Sequence, residues 1–394
     1  MKPAARNHQL DGLRGIAAIA VVYYHAILHA DVRLLEHVLY AQIQDLTNAR
    51  DIVAKLAMMI FNGDEAVMIF FVLSGLVLHQ SLQREPAGSL LSITTRFTLQ
   101  RLCRILPAVI VCMLAIYVVS KAYLLVGLSG FPKVTVDQLW RNALLVQITM
   151  HGPSGSVQTE LAAIPILLAC FFISRRFGFL ALVLCFLFAI IQIQYPILLF
   201  RYANLGPNGC AFVGGMLLAL PEARSWFARI GPGLAAANLC FFMICRHVVP
   251  YQSITALVAQ TISCVILVGT TAYATLPLLT ALLQSKGVQF LGRTSYSIYL
   301  LNVFTLFCLW SIPELSTPTR YAVEIGMIIG SVSLLITLPF AYASERWIER
   351  PGIALGRILT SWNGPRPVQI SAATTHSDIS PGQTSKLAPD GQEL

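Results

Sequence analysis

Apolar residues run along this chain in long unbroken stretches, not in the short alternating or one-faced patterns of a water-soluble fold. A helix needs roughly 20 consecutive apolar residues to cross the hydrocarbon of a bilayer. Ten segments approach that length: 10–30, 58–80, 105–126, 156–174, 177–196, 204–221, 230–249, 252–274, 291–312 and 322–344. They predict an all-α fold, a polytopic membrane bundle of about ten transmembrane helices. Segment 134–150 is shorter and amphipathic, which predicts an interfacial or re-entrant helix. Pro165, Gly214, Gly215, Gly269 and Pro339 fall inside the runs, where membrane helices tolerate them as kinks or close-packing points. After the last run, ERWIERPGIALGRIL is basic and amphipathic and should lie along the inner surface. Residues 362–394 are rich in Ser, Thr, Pro, Gly and Gln and read as disordered. The chain thus divides into a cytoplasmic N-terminus at 1–9, a membrane domain at 10–353 and a mostly disordered cytoplasmic tail at 354–394.

Composition sharpens this picture. Of 394 residues, 56% are hydrophobic and 11% charged, against about 25% charged in soluble domains. So few charges cannot cover a water-exposed surface, so most of the surface must face lipid. The net charge of +9 would suit nucleic acid, but the basic residues sit between apolar runs and form no stripe. Membrane orientation explains them better: with the N-terminus inside, 18 of the 27 Lys and Arg residues fall inside and 9 outside. That bias predicts N-in, C-in and an even number of spans, with no nucleic-acid partner. The first run keeps Arg14 and His25 and has no convincing small-residue cleavage site, so it reads as a retained helix, not a signal peptide. Nine cysteines, an odd number without a C-x-x-C pair, predict neither a disulfide framework nor structural zinc.

Ionisable residues inside spans are costly and mark function by default. In LDGLRGIAAIAVVYYHAILHA, Arg14 and His25 are 11 residues apart. At about 100° per residue that is three turns plus roughly 20°, so they share a face, and Asp11 joins the stripe. Asp11 and Arg14 also suit a plain i,i+3 ion pair at the helix end, and His25 a hydrogen bond to neighbouring backbone. His25 and His29 have the i,i+4 spacing of metal ligands, but no nearby acid completes a set, so no metal is expected. Ser74-Gly75 suits close helix packing more than chemistry. Arg101 and Arg104, with Arg96 a turn before, form a fork that binds phosphate well or simply flanks a span. Pro107 suits a helix start. Glu160 falls a few residues inside the outer end of its span, at a depth matching His25. It suits an orienting role for the imidazole, or an interfacial acid that reaches water. Tyr296, Tyr299 and Asn302 recur at helical spacing on one side, for interhelical hydrogen bonds or substrate contact.

Together these residues resemble the acyltransferase-3 family of integral membrane acyltransferases. The resemblance covers roughly residues 8–353. LDGLR at 10–14 with His25 matches the opening motif, FFVLSG at 70–75 the FFxLSG motif, and Arg101 and Arg104 the R-x-x-R motif. GSVQTE at 155–160 keeps Ser156 and Glu160 of a WSLxxE motif but has Gly155 for the tryptophan. SYSIYL at 295–300 and ERP at 349–351 close the set, and Asn302 stands where many members carry histidine. Each motif alone is weak, but their order and spacing are specific.

The resemblance implies an O-acyltransferase in the bacterial cytoplasmic (inner) membrane, moving an acyl group, by default acetyl, from cytosolic acyl-CoA to a surface polysaccharide or glycolipid. Acyl-CoA is the donor substrate; no permanently bound cofactor is implied. Arg14, Arg101 and Arg104 would hold the coenzyme A phosphates, and His25 would act as base or first acyl acceptor. Glu160, or Asp11, would orient the ring, and Ser74, Ser156, Tyr299 and Asn302 would contact substrate. The rival readings are a carrier or flippase for lipid-linked saccharides, which also uses arginines for phosphate, and a polysaccharide polymerase. The absence of a visible internal repeat weakens the transporter reading.

Overall fold

The computed structural model describes residues 7–361 apart from 32, 86–87, 129, 200–204 and 313–320. The predicted tail at 362–394 lies outside the described residues, as do Lys2 and Arg6. Polar caps start the first helices. The Asn7 side chain accepts from the amides of Gln9 and Leu10 to open α1 (His8–Ala30), Asn48 opens α2 (Ala49–Ile60), and Asn62 opens α3 (Gly63–Gln83). Then come α4 (Leu90–Leu125), α5 (Val136–Ala143), α6 (Ser154–Ala162), α7 (Ile164–Phe177), α8 (Phe179–Gln194) and α9 (Leu205–Leu218). The second half holds α10 (Pro221–Phe227), α11 (Pro232–Val248), α12 (Ile254–Tyr273), α13 (Pro277–Leu283), α14 (Lys286–Trp310), α15 (Ala322–Ser344) and α16 (Arg350–Ser361). Every described regular element is helical, as the apolar runs predict, and the amphipathic segment at 134–150 yields α5.

Each of the ten apolar segments falls on a helix, but fewer helices are long and apolar enough to cross a membrane. Among the described residues six stretches qualify: His8–Ala30, Ala49–Gln83, Leu90–Leu125, Ser154–Phe177, Ile254–Tyr273 and Ala322–Ser361. Pro221–Phe227 and Pro232–Val248, bent by 103°, make a seventh if counted as one span. With 16 and 14 residues, α8 and α9 fall short of a full crossing. α14 has the length, but Lys286 and Arg293 lie in its first turns.

α1 is the hub and packs on α3, α14 and α15. Small residues let backbones touch where the functional residues lie. A Cβ on Gly292 of α14 would overlap the carbonyl of Asp11, and one on Gly75 of α3 the carbonyl of Phe212 on α9. Pro107 does not start its helix: α4 begins at Leu90 and runs through it. Proline offers no N–H to the Cys103 carbonyl one turn back. Gly352 of α16 packs against that oxygen, and Gln100 donates to Thr360 at 3.0 Å. The stretch after the last span therefore docks along α4 and carries Glu349 into the bundle.

Candidate active site

α1, α3, α4, α6 and α14 bring most of the singled-out polar residues into one cavity of about 150 Å³. Asp11 and Arg14 come from α1, one turn apart, with Arg14 Nη1 3.9 Å from the Asp11 carboxylate. Ser74 comes from α3, Arg101 and Arg104 from α4, Ser156 and Glu160 from α6, and Tyr299 from α14. In the Ser74-Gly75 pair the two roles separate. Gly75 serves the helix contact, and the Ser74 hydroxyl donates to Glu160 at 2.7 Å. Arg101, only 7% exposed, donates to the same carboxylate and to Ser74 Oγ at 3.3 Å. The hydroxyls of Ser156 and Tyr299 meet at 2.5 Å.

Four arginines (Arg14, Arg101, Arg104 and Arg293) face three carboxylates (Asp11, Glu160 and Glu349) around the cavity. Arg14, Arg101 and Arg104 lie within electrostatic reach of one another. Glu160 offsets Arg101 directly. The remaining guanidinium charge is crowded and desolvated, an arrangement that an anion relieves, and the planar fork of arginine suits phosphate.

His25 does not line this cavity. It stands about 16 Å further along α1 from Arg14, at 1.5 Å per residue. The ring is half-buried. Its electrostatic neighbours are His29, stacked on Trp310 at 3.9 Å, and His151. The expected pairing of Glu160 with His25 is therefore not what the structure forms. Glu160 lies at the level of Arg14, bound by Ser74 and Arg101. The end of the apolar run does not set its depth: α6 starts only at Ser154, where Ser154 and the preceding His151 are already buried. Asp11 cannot orient the ring either, because 14 residues of helix put it about 21 Å away. Asn302 is fully buried and also stands apart from the cavity, its amide donating to the carbonyls of Ile298 and Tyr299.

The family model for the acyltransferase domain matches residues 7–345. The chain belongs to the acyltransferase-3 family. No curated protein and no solved structure matches it. Membership makes this chain a membrane acyltransferase, and the long apolar helices agree with an integral membrane acyltransferase-3 protein.

Within this acyltransferase-3 chain, sequence reading passed over three residues. His151 is 1% exposed, bonds Ser154 Oγ through Nδ1 at 2.9 Å and leaves Nε2 without a partner. It carries a weak signal: a lone histidine just before the partly matched GSVQTE motif. Glu349 lines the cavity and accepts from Ser297; its signal in the sequence is the ERP motif at 349–351. Arg293 had none beyond its charge. A Cβ on Gly155 would meet only Ile148 Cγ2, at 4.0 Å, so the first atom of a side chain there enters open space. Among the described residues no group of three or more His, Cys, Asp or Glu is arranged to hold a metal.

Proposed function

We propose that this protein transfers an acetyl group from cytosolic acetyl-CoA to a hydroxyl of an extracytoplasmic glycan or glycolipid, from an inner-membrane bundle with both termini in the cytoplasm. One observation carries the reading: an arginine-lined cavity and a half-buried imidazole lie on the same helix, about 16 Å apart. That separation suits a donor whose anionic end and reactive thioester are joined by a long arm.

Arg14 and Arg104, with Arg101 held in place by Glu160, bind the coenzyme A phosphates. The arm extends along α1 toward His25. There the acceptor hydroxyl attacks the thioester carbonyl, the C–O bond forms and the C–S bond breaks. His25 takes the hydroxyl proton and returns it to the departing thiolate. If His25 carries the acyl group first, a ring nitrogen attacks the thioester carbonyl, the C–S bond breaks and the thiolate leaves with the ring's proton; the sugar hydroxyl then attacks the acyl-imidazole, the C–N bond breaks and the ring recovers a proton from the hydroxyl. Both routes need a neutral ring. Acyl transfer from labelled acetyl-CoA to membrane glycan tests the reading. His25→Ala should abolish labelling while the protein still inserts; full labelling by that variant rejects the assignment. Glycan movement without labelling by the wild-type protein rejects the enzyme in favour of a carrier.

A further inference from the structure

A second cavity, of about 590 Å³, lies on the other face of α1 and α3 from the arginines. It exists because α11 packs along α12 and against α2, leaving a gap toward α1. On α11 it runs from Pro232 to Met243, about 16 Å at 1.5 Å per residue. One end is closed by α13, the other by the first turn of α3. Exposed Ile60, Leu239 and Leu282 on its rim open it sideways to the surrounding hydrocarbon. Its volume falls in the range of about 300–1,000 Å³ that holds a small-molecule ligand.

The walls are apolar except for four residues, and two of these are satisfied by the protein. Asn62 caps α3, and the Thr270 hydroxyl bonds to carbonyls of its own helix. The other two are not. Glu65 is 4% and Thr271 1% exposed, and neither Glu65 Oε1 nor Thr271 Oγ1 has a hydrogen-bond partner. The Gln260 amide faces the Glu65 carboxylate and Arg246 lies within electrostatic reach, but Gln260 Nε2 makes no hydrogen bond and His247 Nε2 stops 3.8 Å from Oε1, so Oε1 itself keeps no donor. An Oε1 that the neighbouring protein donors do not reach, at one end of an apolar groove open to lipid, suits an amphiphile that brings a donor with it.

We propose that this groove binds one membrane lipid, its hydrocarbon chain along α11 and a headgroup hydroxyl or primary ammonium on Glu65. The site is separate from the arginine cavity and from His25, and the proposal does not depend on the transfer chemistry. The groove supplies the contact area, and Glu65 selects a headgroup that can donate.

Native mass spectrometry of the detergent-purified full chain tests this after incubation with vesicles of phosphatidylethanolamine, phosphatidylglycerol or phosphatidylcholine. One molecule of a donor-bearing lipid should stay bound per chain, with phosphatidylcholine, which has no donor, retained at least tenfold less. Retention of phosphatidylethanolamine identifies the ammonium as the donor, and of phosphatidylglycerol the hydroxyl. Glu65→Leu should erase the preference, and Ala236→Trp, which fills the groove, should abolish retention. Leu335→Trp, on the exposed face of α15, should leave it intact. If Ala236→Trp does not insert, Glu65→Leu decides alone. The proposal fails if no lipid is retained, if phosphatidylcholine is held as tightly as the others, or if the Glu65 variant keeps the wild-type preference.

Discussion

Arg101 and Glu160 carry two duties: they form a buried ion pair in a bundle poor in charge, and they line the cavity assigned to the donor. A cycle of Arg101→Met, Glu160→Leu and the double variant separates the duties. Breaking a buried pair by removing one partner costs about 3–5 kcal/mol, because the survivor is left uncompensated. The Glu160 side chain is 22% exposed and that of Arg101 8%. Cavity water can therefore compensate a stranded Glu160 better than a stranded Arg101. Arg101→Met should fall near the lower end, about 3 kcal/mol, with Ser74 still donating to the carboxylate, and Glu160→Leu nearer the upper end. The double variant removes both charges and should cost only about 2 kcal/mol, against about 8 for the two single losses summed, a coupling of about 6 kcal/mol. Thermal unfolding of the purified variants in detergent measures this, and calorimetric titration with acetyl-CoA measures donor affinity. The double variant should regain stability and still bind acetyl-CoA at least tenfold more weakly. A stable Arg101→Met variant would refute the pairing. A double variant with full donor affinity would reduce Arg101 to a structural residue.

Three further outcomes follow from the same geometry. Transfer requires the His25 imidazole as proton acceptor, so His25→Gln, which keeps a polar side chain without a base, should lower labelling at least about a hundredfold; wild-type labelling by that variant would remove the imidazole from the chemistry. Gly75→Ala places a methyl group on the Phe212 carbonyl, backbone against backbone, and should lower stability by about 1–3 kcal/mol in thermal unfolding. An unchanged midpoint would mean that α3 and α9 do not abut there. The Cβ of Gly155→Trp meets no atom closer than 4.0 Å, so stability should stay within about 0.5 kcal/mol of wild type. The same variant should shift the range of acceptors labelled, as read by mass spectrometry of the glycans; loss of the fold would show that the space is occupied.

The sequence by itself determined which segments are helical and which residues share a face of one helix. Asp11, Arg14 and Arg101 could be singled out because hydropathy and the helical repeat are local properties, set by residues three, four or eleven apart. The order and spacing of the motifs also pointed to the family that the match at 7–345 bears out. Only the tertiary structure decided who meets whom. Distance from the end of an apolar run puts Glu160 and His25 at one depth, yet a helix can start at a buried residue, as α6 does at Ser154. Along the chain the Ser74-Gly75 pair suits helix packing more than chemistry; the carboxylate to which the Ser74 hydroxyl donates lies on Glu160, 86 positions away. Glu349 enters the cavity because Gly352 lets α16 lie against α4 where Pro107 frees a carbonyl, a fit of shapes with no signature along the chain. The number of crossing helices belongs to the same class, since apolar length alone does not say where a helix breaks. Contacts between distant residues depend on backbone approach and on side chains filling the space between helices, and that information exists only once the helices are packed.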